Sequence, residues 1–257
     1  MQKIVWAMMA AVTLVTTNAF AARPSAYTEL LDYVIEAPNQ GKTATCLYVG
    51  STGAMEILAN KKYDLKHQRP GDRFDLAEQF LIHQRSARVP GHRVEAAVRR
   101  FNYGEAIHAS YIPFVAWNAD GTPNRGVWNK PPGYDQLPRM SVPSIVTEKL
   151  FVRGDKWDTY VMKPGDVEAI KQALWKHKSP ILINYNDTNY WHVITIVGYD
   201  DNLQTAACYD FTPPEECAKN QEGAFYVRDS FGVPVESRDT DWFRVKANAA
   251  FVVRLAE

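Results

Sequence analysis

The sequence predicts an α+β fold, with helices in the first half of the chain and strands in the second. Three early segments have apolar residues at helical spacing, and four later segments are rich in β-branched and aromatic residues. Helices and strands that are segregated in this way are typical of α+β folds, because alternating elements would instead favour a parallel sheet. The helical segments are 45–59, 75–84 and 92–101, and the strand-like segments are 181–185, 192–199, 224–228 and 249–255.

The middle of the chain separates these two halves. Residues 112–144 contain many prolines and glycines and show no period, so we interpret them as a long connection. An amphipathic helix over 167–177 follows. A chain of 257 residues can bury a core without metals or disulfides, as one domain or as two closely packed halves.

Residues 1–21 have the composition of a secretory signal peptide. Lys3 is the single charged residue, an apolar run covers 4–15, and Ala19-Phe20-Ala21 has the small-x-small form of a cleavage site. An uncleaved membrane anchor is the alternative, but its apolar core would be short and broken by polar residues, whereas a span needs about 20 apolar residues. We therefore expect an exported protein, periplasmic or secreted, with a mature domain over 22–257 and no stable membrane insertion.

The charge balance excludes several classes of partner. Loss of Lys3 with the signal peptide leaves one acidic residue in excess, and neither nucleic acid nor an anionic membrane surface is indicated. The histidines lack the spacing with cysteine or carboxylate residues that is typical of zinc sites, so we expect no metal and no cofactor.

Three cysteines in an exported chain suggest one pair and one free thiol. Cys208 and Cys217 lie in a segment rich in proline and acid, where a disulfide would join the two ends of a loop. Cys46 is then the free thiol, and cysteine count alone allows it to be either reactive or an inert buried residue.

Four residues have the chemistry of a thiol-based catalytic site. Cys46 begins the first predicted helix, for which Thr45 is a candidate cap, and a helix N-terminus stabilises a thiolate. His192 opens one strand, and Asp229 follows another, where a carboxylate could orient the imidazole. Gln40 offers an amide to a developing oxyanion, with the Cys46 N–H as the second donor. Taken singly, each has an ordinary structural interpretation: a core thiol, a strand histidine, a turn aspartate and a loop glutamine.

Read together and in order, these residues resemble the papain-like cysteine peptidases. Gln40, Cys46 and Glu56 have the family's spacing in its first block, with Gln six before the Cys and Glu ten after it. Residues 76–79, Leu-Ala-Glu-Gln, resemble its Leu-Ser-Glu-Gln helix. Residues 192–199 match a His that opens an apolar strand ending in Val-Gly-Tyr, and 229–232, Asp-Ser-Phe-Gly, match Asn-Ser-Trp-Gly. The likeness spans roughly residues 36 to 232.

The resemblance implies a helical lobe over roughly 40–130 packed against an antiparallel barrel-like lobe over roughly 140–257, with the active site in the cleft. By the same likeness, Cys46 is the nucleophile, His192 the base and then acid, Asp229 the orienting residue and Gln40 the oxyanion donor.

The chain departs from the family's pattern at several positions. Asp229 replaces the usual Asn, Phe231 the usual Trp, and Thr43 a cysteine, so that one family disulfide is missing. A Cys-His-Asp order is also similar to that of bacteriocin-processing peptidases.

The function that this resemblance implies is that of an exported bacterial cysteine peptidase acting on proteins or peptides through a thioacyl intermediate. Two alternatives stay open. The same triad supports deamidation or acyl transfer, because only the acyl donor and acceptor differ. A papain-like fold that has lost turnover could instead bind a peptide or a partner, although Gln40, Cys46 and His192 are all present.

Overall fold

The computed structural model describes residues 22–66, 70–84, 93–153, 164–187, 190–203, 223–239 and 247–256. Residues 1–21, and Cys208 and Cys217 with the loop between them, lie outside this part of the chain. The predicted signal peptide and the predicted disulfide therefore stay predictions. No helix within the described ranges is long and apolar enough to cross a membrane.

One antiparallel sheet contains most of the strands. Its order is β4-β9-β5-β6-β7-β8, and β1 pairs with β6 beside this path. The two remaining strands, β2 and β3, pair with each other. The strands are β1 (Ala26–Tyr27), β2 (Glu105–Ala106), β3 (Met140–Ser141), β4 (Ile145–Val152), β5 (Ile181–Asp187), β6 (Tyr190–Asp200), β7 (Ala224–Arg228), β8 (Glu236–Asp239) and β9 (Ala247–Leu255).

Helices cover both faces of this sheet. The helices are α1 (Cys46–Lys62), α2 (Glu78–His83), α3 (Arg93–Val98) and α4 (Pro164–His177). Side chains alternate across the sheet, so Ile181 and Ile183 pack in one core cluster with α4, whereas Leu182 packs in the other with α1, α2 and α3. Most of α1 is buried on every side, because it lies between the sheet and the other two helices.

Two glycines of α1 allow it to approach the sheet closely. A Cβ atom at Gly50 would lie 3.2 Å from the Val193 side chain, and one at Gly53 would overlap the guanidinium of Arg228. Glycine inside a helix costs about 1 kcal/mol relative to alanine. Glycine at these positions therefore allows close packing, which holds the start of α1 against β6.

The predicted α+β fold is confirmed, with small differences at element ends. The predicted helices correspond to α1, α2, α3 and α4, and the predicted strands to β5, β6, β7 and β9. Residues 112–144 contain short 3-10 helices and β3. Neither β4 nor β8, which lie at the two ends of the sheet, was predicted, because β4 has a less regular apolar pattern and β8 (Glu-Ser-Arg-Asp) has no apolar residue. The boundaries of the two lobes stay a prediction.

Candidate active site

Cys46 is the first residue of α1 and is buried. Its backbone N–H is one of those at the helix start that have no carbonyl partner inside the helix, so the helix N-terminus provides partial positive charge beside the thiol. The Sγ atom lies 3.9 Å from the Trp191 carbonyl oxygen on β6, to which the thiol can donate, and Cys46 also interacts electrostatically with the imidazole of His192. Thr45 occupies the cap position as expected, but its hydroxyl pairs with that of Thr43 at 2.9 Å and not with the helix.

His192 and Asp229 meet because their strands are antiparallel neighbours. His192 lies near the start of β6, and Asp229 directly follows the end of β7, so both reach the same edge of the sheet. The Nε2 atom of His192 lies 2.7 Å from Oδ1 of Asp229. Because Nε2 is engaged by the carboxylate, Nδ1 is the ring nitrogen left for the Cys46 thiol. The structure thus brings three of the four predicted site residues together, with His192 hydrogen-bonded to Asp229.

The electrostatics of these three residues favour a protonated imidazole. Burial alone would lower the pKa of His192, but its interactions with Asp229 and Cys46 raise that pKa to about 9. Burial would raise the pKa of Asp229, and His192 and Arg238 together hold it below the usual value. An imidazolium beside the thiol at neutral pH is the arrangement that stabilises a thiolate nucleophile.

Two aromatic rings pack against the imidazole. Phe231 stacks on it with ring centroids 5.4 Å apart, and Tyr185 meets it edge-on at 5.2 Å. Phe231 occupies the position at which the papain-like motif has tryptophan, and its ring covers one face of the imidazole. These contacts limit the access of water to the His192–Asp229 hydrogen bond. The lower local dielectric makes that bond stronger.

The backbone of Gln40 is hydrogen-bonded to the chain directly after Asp229, at the edge of the sheet where His192 and Asp229 meet. Its N–H donates to the Ser230 carbonyl oxygen at 2.7 Å, and Asn39 pairs with Phe231 in an isolated bridge. The Gln40 side chain is buried, and its Oε1 atom has no hydrogen-bond partner among the described residues. Oε1 can only accept a hydrogen bond, whereas the role predicted for Gln40 requires its amide N–H to donate, so this atom does not bear on that role. The role itself stays a prediction.

The loop between Gln40 and Cys46 has an unusual backbone. Gly41 has φ +52°, and a Cβ atom there would lie 2.6 Å from the ring of Trp117, so glycine is required for this close contact. Ala44 has φ 57°, in the left-handed region that disfavours residues other than glycine. Sequence reasoning found neither the role of Trp117 nor the strain at Ala44, since both depend on the folded path of the loop.

A buried polar cluster around Arg228 and Glu56 supports α1 on the C-terminal side of Cys46. Arg228 donates to the Val49 carbonyl at 3.1 Å and to Glu56 Oε2 at 3.1 Å, and it also reaches the Ile35 carbonyl at 2.7 Å. The other oxygen of Glu56 accepts from the Leu76 N–H at 2.8 Å. This cluster gives Glu56 a structural role and connects α1 to the strand that precedes Asp229.

Sequence reasoning also missed Arg238, which contacts Asp229 from β8. One of its nitrogens lies 2.6 Å from Oδ2 of Asp229, and the same nitrogen lies 3.1 Å from Glu236. A lone arginine in a short, irregular strand gives no signal of this kind. The contact depends on the pairing of β8 with β7, which places Arg238 next to Asp229.

A cavity of about 490 Å³ lies outside this site. Its lining includes Pro38, Asp75, Glu78, His108 and Phe114, but none of the four predicted site residues. Within the described ranges, no group of three histidine, cysteine or acidic side chains is arranged to hold a metal ion.

Solved structures share this architecture over most of the chain. The bromelain protease from Ananas comosus, in complex with an inhibitor, matches with a TM-score of 0.53 and 12% identity, covering 91% of this chain and 100% of that one. Digestive procathepsin L 3 of Tenebrio molitor matches with a TM-score of 0.55 and 16% identity, covering 92% and 72%.

This chain has a papain-like fold. The clostridial cysteine protease Cwp84, after propeptide cleavage, also matches, with a TM-score of 0.54 and 16% identity, covering 91% of this chain and 59% of that one. No family model matches the chain, and no curated protein matches it. The likeness to solved structures therefore establishes the papain-like fold, and the chemistry must be argued from the residues of this chain.

Proposed function

We propose that this protein is an exported cysteine peptidase of the papain-like type, which hydrolyses peptide bonds through a thioacyl intermediate. The observation that carries the proposal is that Cys46, at the N-terminus of α1, interacts with a His192 that is hydrogen-bonded to Asp229. A thiol, an imidazole and a carboxylate in this order are the parts that nucleophilic acyl transfer requires. The papain-like fold of the chain agrees with this chemistry.

In the first half of the reaction, the Cys46 thiolate attacks the carbonyl carbon of the scissile bond. The oxygen of the tetrahedral intermediate carries negative charge, and the side-chain amide of Gln40 and the N–H of Cys46 donate hydrogen bonds to it. The His192 imidazolium gives its proton to the leaving nitrogen as the C–N bond breaks. The products of this half are a free amine and a thioester on Cys46.

In the second half, water attacks the thioester. Neutral His192 removes a proton from the water, the C–S bond breaks, and the Cys46 thiolate and the His192 imidazolium are restored with the release of a carboxylic acid. Asp229 holds the ring in one orientation throughout, since its Oδ1 is bonded to Nε2. The substrate is a protein or a peptide, because the acyl donor is an amide.

Two other functions use the same residues. A deamidase would release ammonia from a side-chain amide, and an acyltransferase would pass the acyl group to an amine instead of water. A binding protein with this fold would have no turnover. The arrangement of Cys46, His192 and Asp229 favours an enzyme, because a binding role requires no proton path between them.

Export is proposed from residues 1–21. If the segment is removed after Ala21, the mature protein begins at Ala22 in the periplasm or outside the cell. Sequencing of the N-terminus of protein isolated from these compartments tests this proposal independently of activity.

A digest of a proteome-derived peptide library by the mature protein tests the proposed reaction, with Cys46→Ala as the matched control. New peptide termini that require Cys46 would support peptidase action. A Cys46-dependent conversion of glutamine or asparagine to the acid, without cleavage, would indicate a deamidase instead. Cys46-dependent joining of peptides to an added amine would indicate an acyltransferase. The same products with wild type and Cys46→Ala would exclude Cys46 as the nucleophile.

A further inference from the structure

Arg238 fixes the carboxylate oxygen of Asp229 that does not contact His192. Its nitrogen lies 2.6 Å from Oδ2, and both side chains are buried, at 4% and 0% exposure. Oδ1 accepts from His192 at 2.7 Å and from the Ser230 N–H at 2.6 Å. With both oxygens engaged from different directions, the carboxylate cannot rotate without breaking a charge-assisted hydrogen bond.

The register of β8 places Arg238 in this position. Arg238 pairs across the ladder with Phe225 of β7, and Glu236 pairs with Val227. Glu236 and Arg238 are two residues apart, so they lie on the same face of the strand. Glu236 accepts from Nε of Arg238 at 3.2 Å and keeps the guanidinium aligned.

The charge of Arg238 matters because Asp229 is buried beside the imidazole. A buried carboxylate without a second partner is costly, and it would bind the imidazolium proton more strongly than a neutral acceptor does. The papain-like pattern has a neutral asparagine at this position. A paired Asp229 and Arg238 are also neutral in sum, while a carboxylate oxygen still faces His192.

We propose that Arg238 is a positioning residue of this site, which locks the carboxylate of Asp229 and offsets its charge, so that the Asp229–Arg238 pair acts on His192 as a neutral acceptor would. The inference rests on the proposed function, because it assigns a role at the same site. Among the described residues, His192 of β6 and Glu236 of β8 contact this pair, and Cys46 of α1 and Tyr185 of β5 lie against His192.

The pH dependence of Cys46 alkylation by iodoacetamide tests this role without any substrate. In native protein the rate rises as the thiolate forms and changes again as the imidazolium loses its proton, which gives two midpoints for the coupled pair. Four proteins are compared: wild type, Arg238→Met, Asp229→Asn and the double variant.

The two single variants should shift the midpoints in opposite directions, and the double variant should not shift them. Arg238→Met leaves the negative charge of Asp229 without its positive partner, so both midpoints should move to higher pH, by about one pH unit. Asp229→Asn exposes the positive charge of Arg238 and should move both midpoints to lower pH by a similar amount. The double variant restores neutrality, so its midpoints should return close to those of wild type.

A structural role alone would not produce this cancellation. If Arg238→Met lowered the melting temperature but left both midpoints unchanged, the inference would be overturned. Arg238→Lys retains the charge and should keep the midpoints near those of wild type, and it serves as the test if Arg238→Met does not fold. A midpoint shift in Arg238→Lys as large as that expected for Arg238→Met would also contradict the inference.

Failure of this inference is distinguishable from failure of the proposed function. If wild-type Cys46 titrates as an ordinary isolated thiol, the thiolate–imidazolium pair is absent and the proposed function loses its support. If wild type shows both midpoints but Arg238→Met does not move them, only the role of Arg238 is wrong.

Discussion

The imidazole of His192 and the carboxylate of Asp229 lie 2.7 Å apart at the end of two adjacent antiparallel strands, and both are buried. The strand pairing fixes this distance, since Thr195 of β6 lies opposite Arg228 of β7, the residue before Asp229. Cys46 reaches the pair from α1. Cys46 and His192 therefore stand on a helix and a strand, and Asp229 directly follows a strand.

Replacement of Asp229 separates ring orientation from charge. Asp229→Asn keeps an oxygen that can accept from Nε2, so we expect measurable activity, whereas Asp229→Ala should lose about 10² to 10³ in kcat because the ring is no longer held. Steady-state kinetics on a peptide substrate measures both. Equal losses in the two variants would show that the site requires the charge and not the orientation.

Gln40→Ala should lower kcat by about 10² to 10³, with little change in KM, because a hydrogen bond to the oxyanion forms only in the transition state. Gln79→Ala is a matched control, since Gln79 is also buried but contacts the Pro113 carbonyl away from the site. The control should keep its kcat. Wild-type activity in Gln40→Ala would remove Gln40 from the mechanism, and unfolding of that variant would make it a structural residue.

Ala44→Gly should leave the protein as stable as wild type or stabilise it by up to about 1 kcal/mol. The left-handed conformation costs alanine roughly 1 to 2 kcal/mol, which exceeds the roughly 0.4 to 1 kcal/mol that glycine adds to the entropy of the unfolded chain. Urea unfolding measures the change. In the same assay Ala169→Gly, at an exposed position of α4, should cost about 1 kcal/mol. A loss at Ala44 as large as at Ala169 would mean that Ala44 is not strained.

Glu56 and Glu78 should make the protein less stable as the pH rises. Burial raises the pKa of both carboxyls, and the charge of Glu56 raises that of Glu78 further. The folded state then holds protons that the unfolded chain has already released, so raising the pH above the ordinary carboxyl range lowers the free energy of unfolding. This loss continues until the pH passes the raised pKa values.

Glu78→Gln removes one of these titrations while keeping the shape of the side chain. Its free energy of unfolding should fall less than that of wild type between about pH 5 and about pH 8, by roughly 1 kcal/mol or more. Urea unfolding at both pH values measures this, and Glu105→Gln, at an exposed carboxyl, should behave as wild type. An unchanged pH dependence in Glu78→Gln would contradict the raised pKa.

The fold was predictable where burial imposes a clear period. Residues 224–228 were predicted as a strand and form β7, because a strand between two neighbours is apolar almost throughout. β4 was missed because it lies at one end of the sheet and only two of its eight residues are buried. Edge position is a property of the whole sheet and cannot be read from one segment.

The candidate site was predictable from order and spacing, but its supporting contacts were not. Gln40, Cys46, His192 and Asp229 occur in motifs that a single sequence reveals. Arg238 contacts Asp229 only because β8 pairs with β7 in one register, and Trp117 covers Gly41 only because the long connection folds back over the loop. Such contacts depend on tertiary structure, for which local pattern gives no signal.

The most direct measurement of the central claim is alkylation of native mature protein with limiting iodoacetamide at about pH 6, followed by mass mapping. At this pH an ordinary thiol is almost entirely protonated, so a thiolate paired with His192 should take up the label first. We expect the label on Cys46, and loss of peptidase activity in proportion to labelling. Label mainly on Cys208 or Cys217, or full activity after Cys46 is modified, would contradict the assignment of Cys46 as the nucleophile.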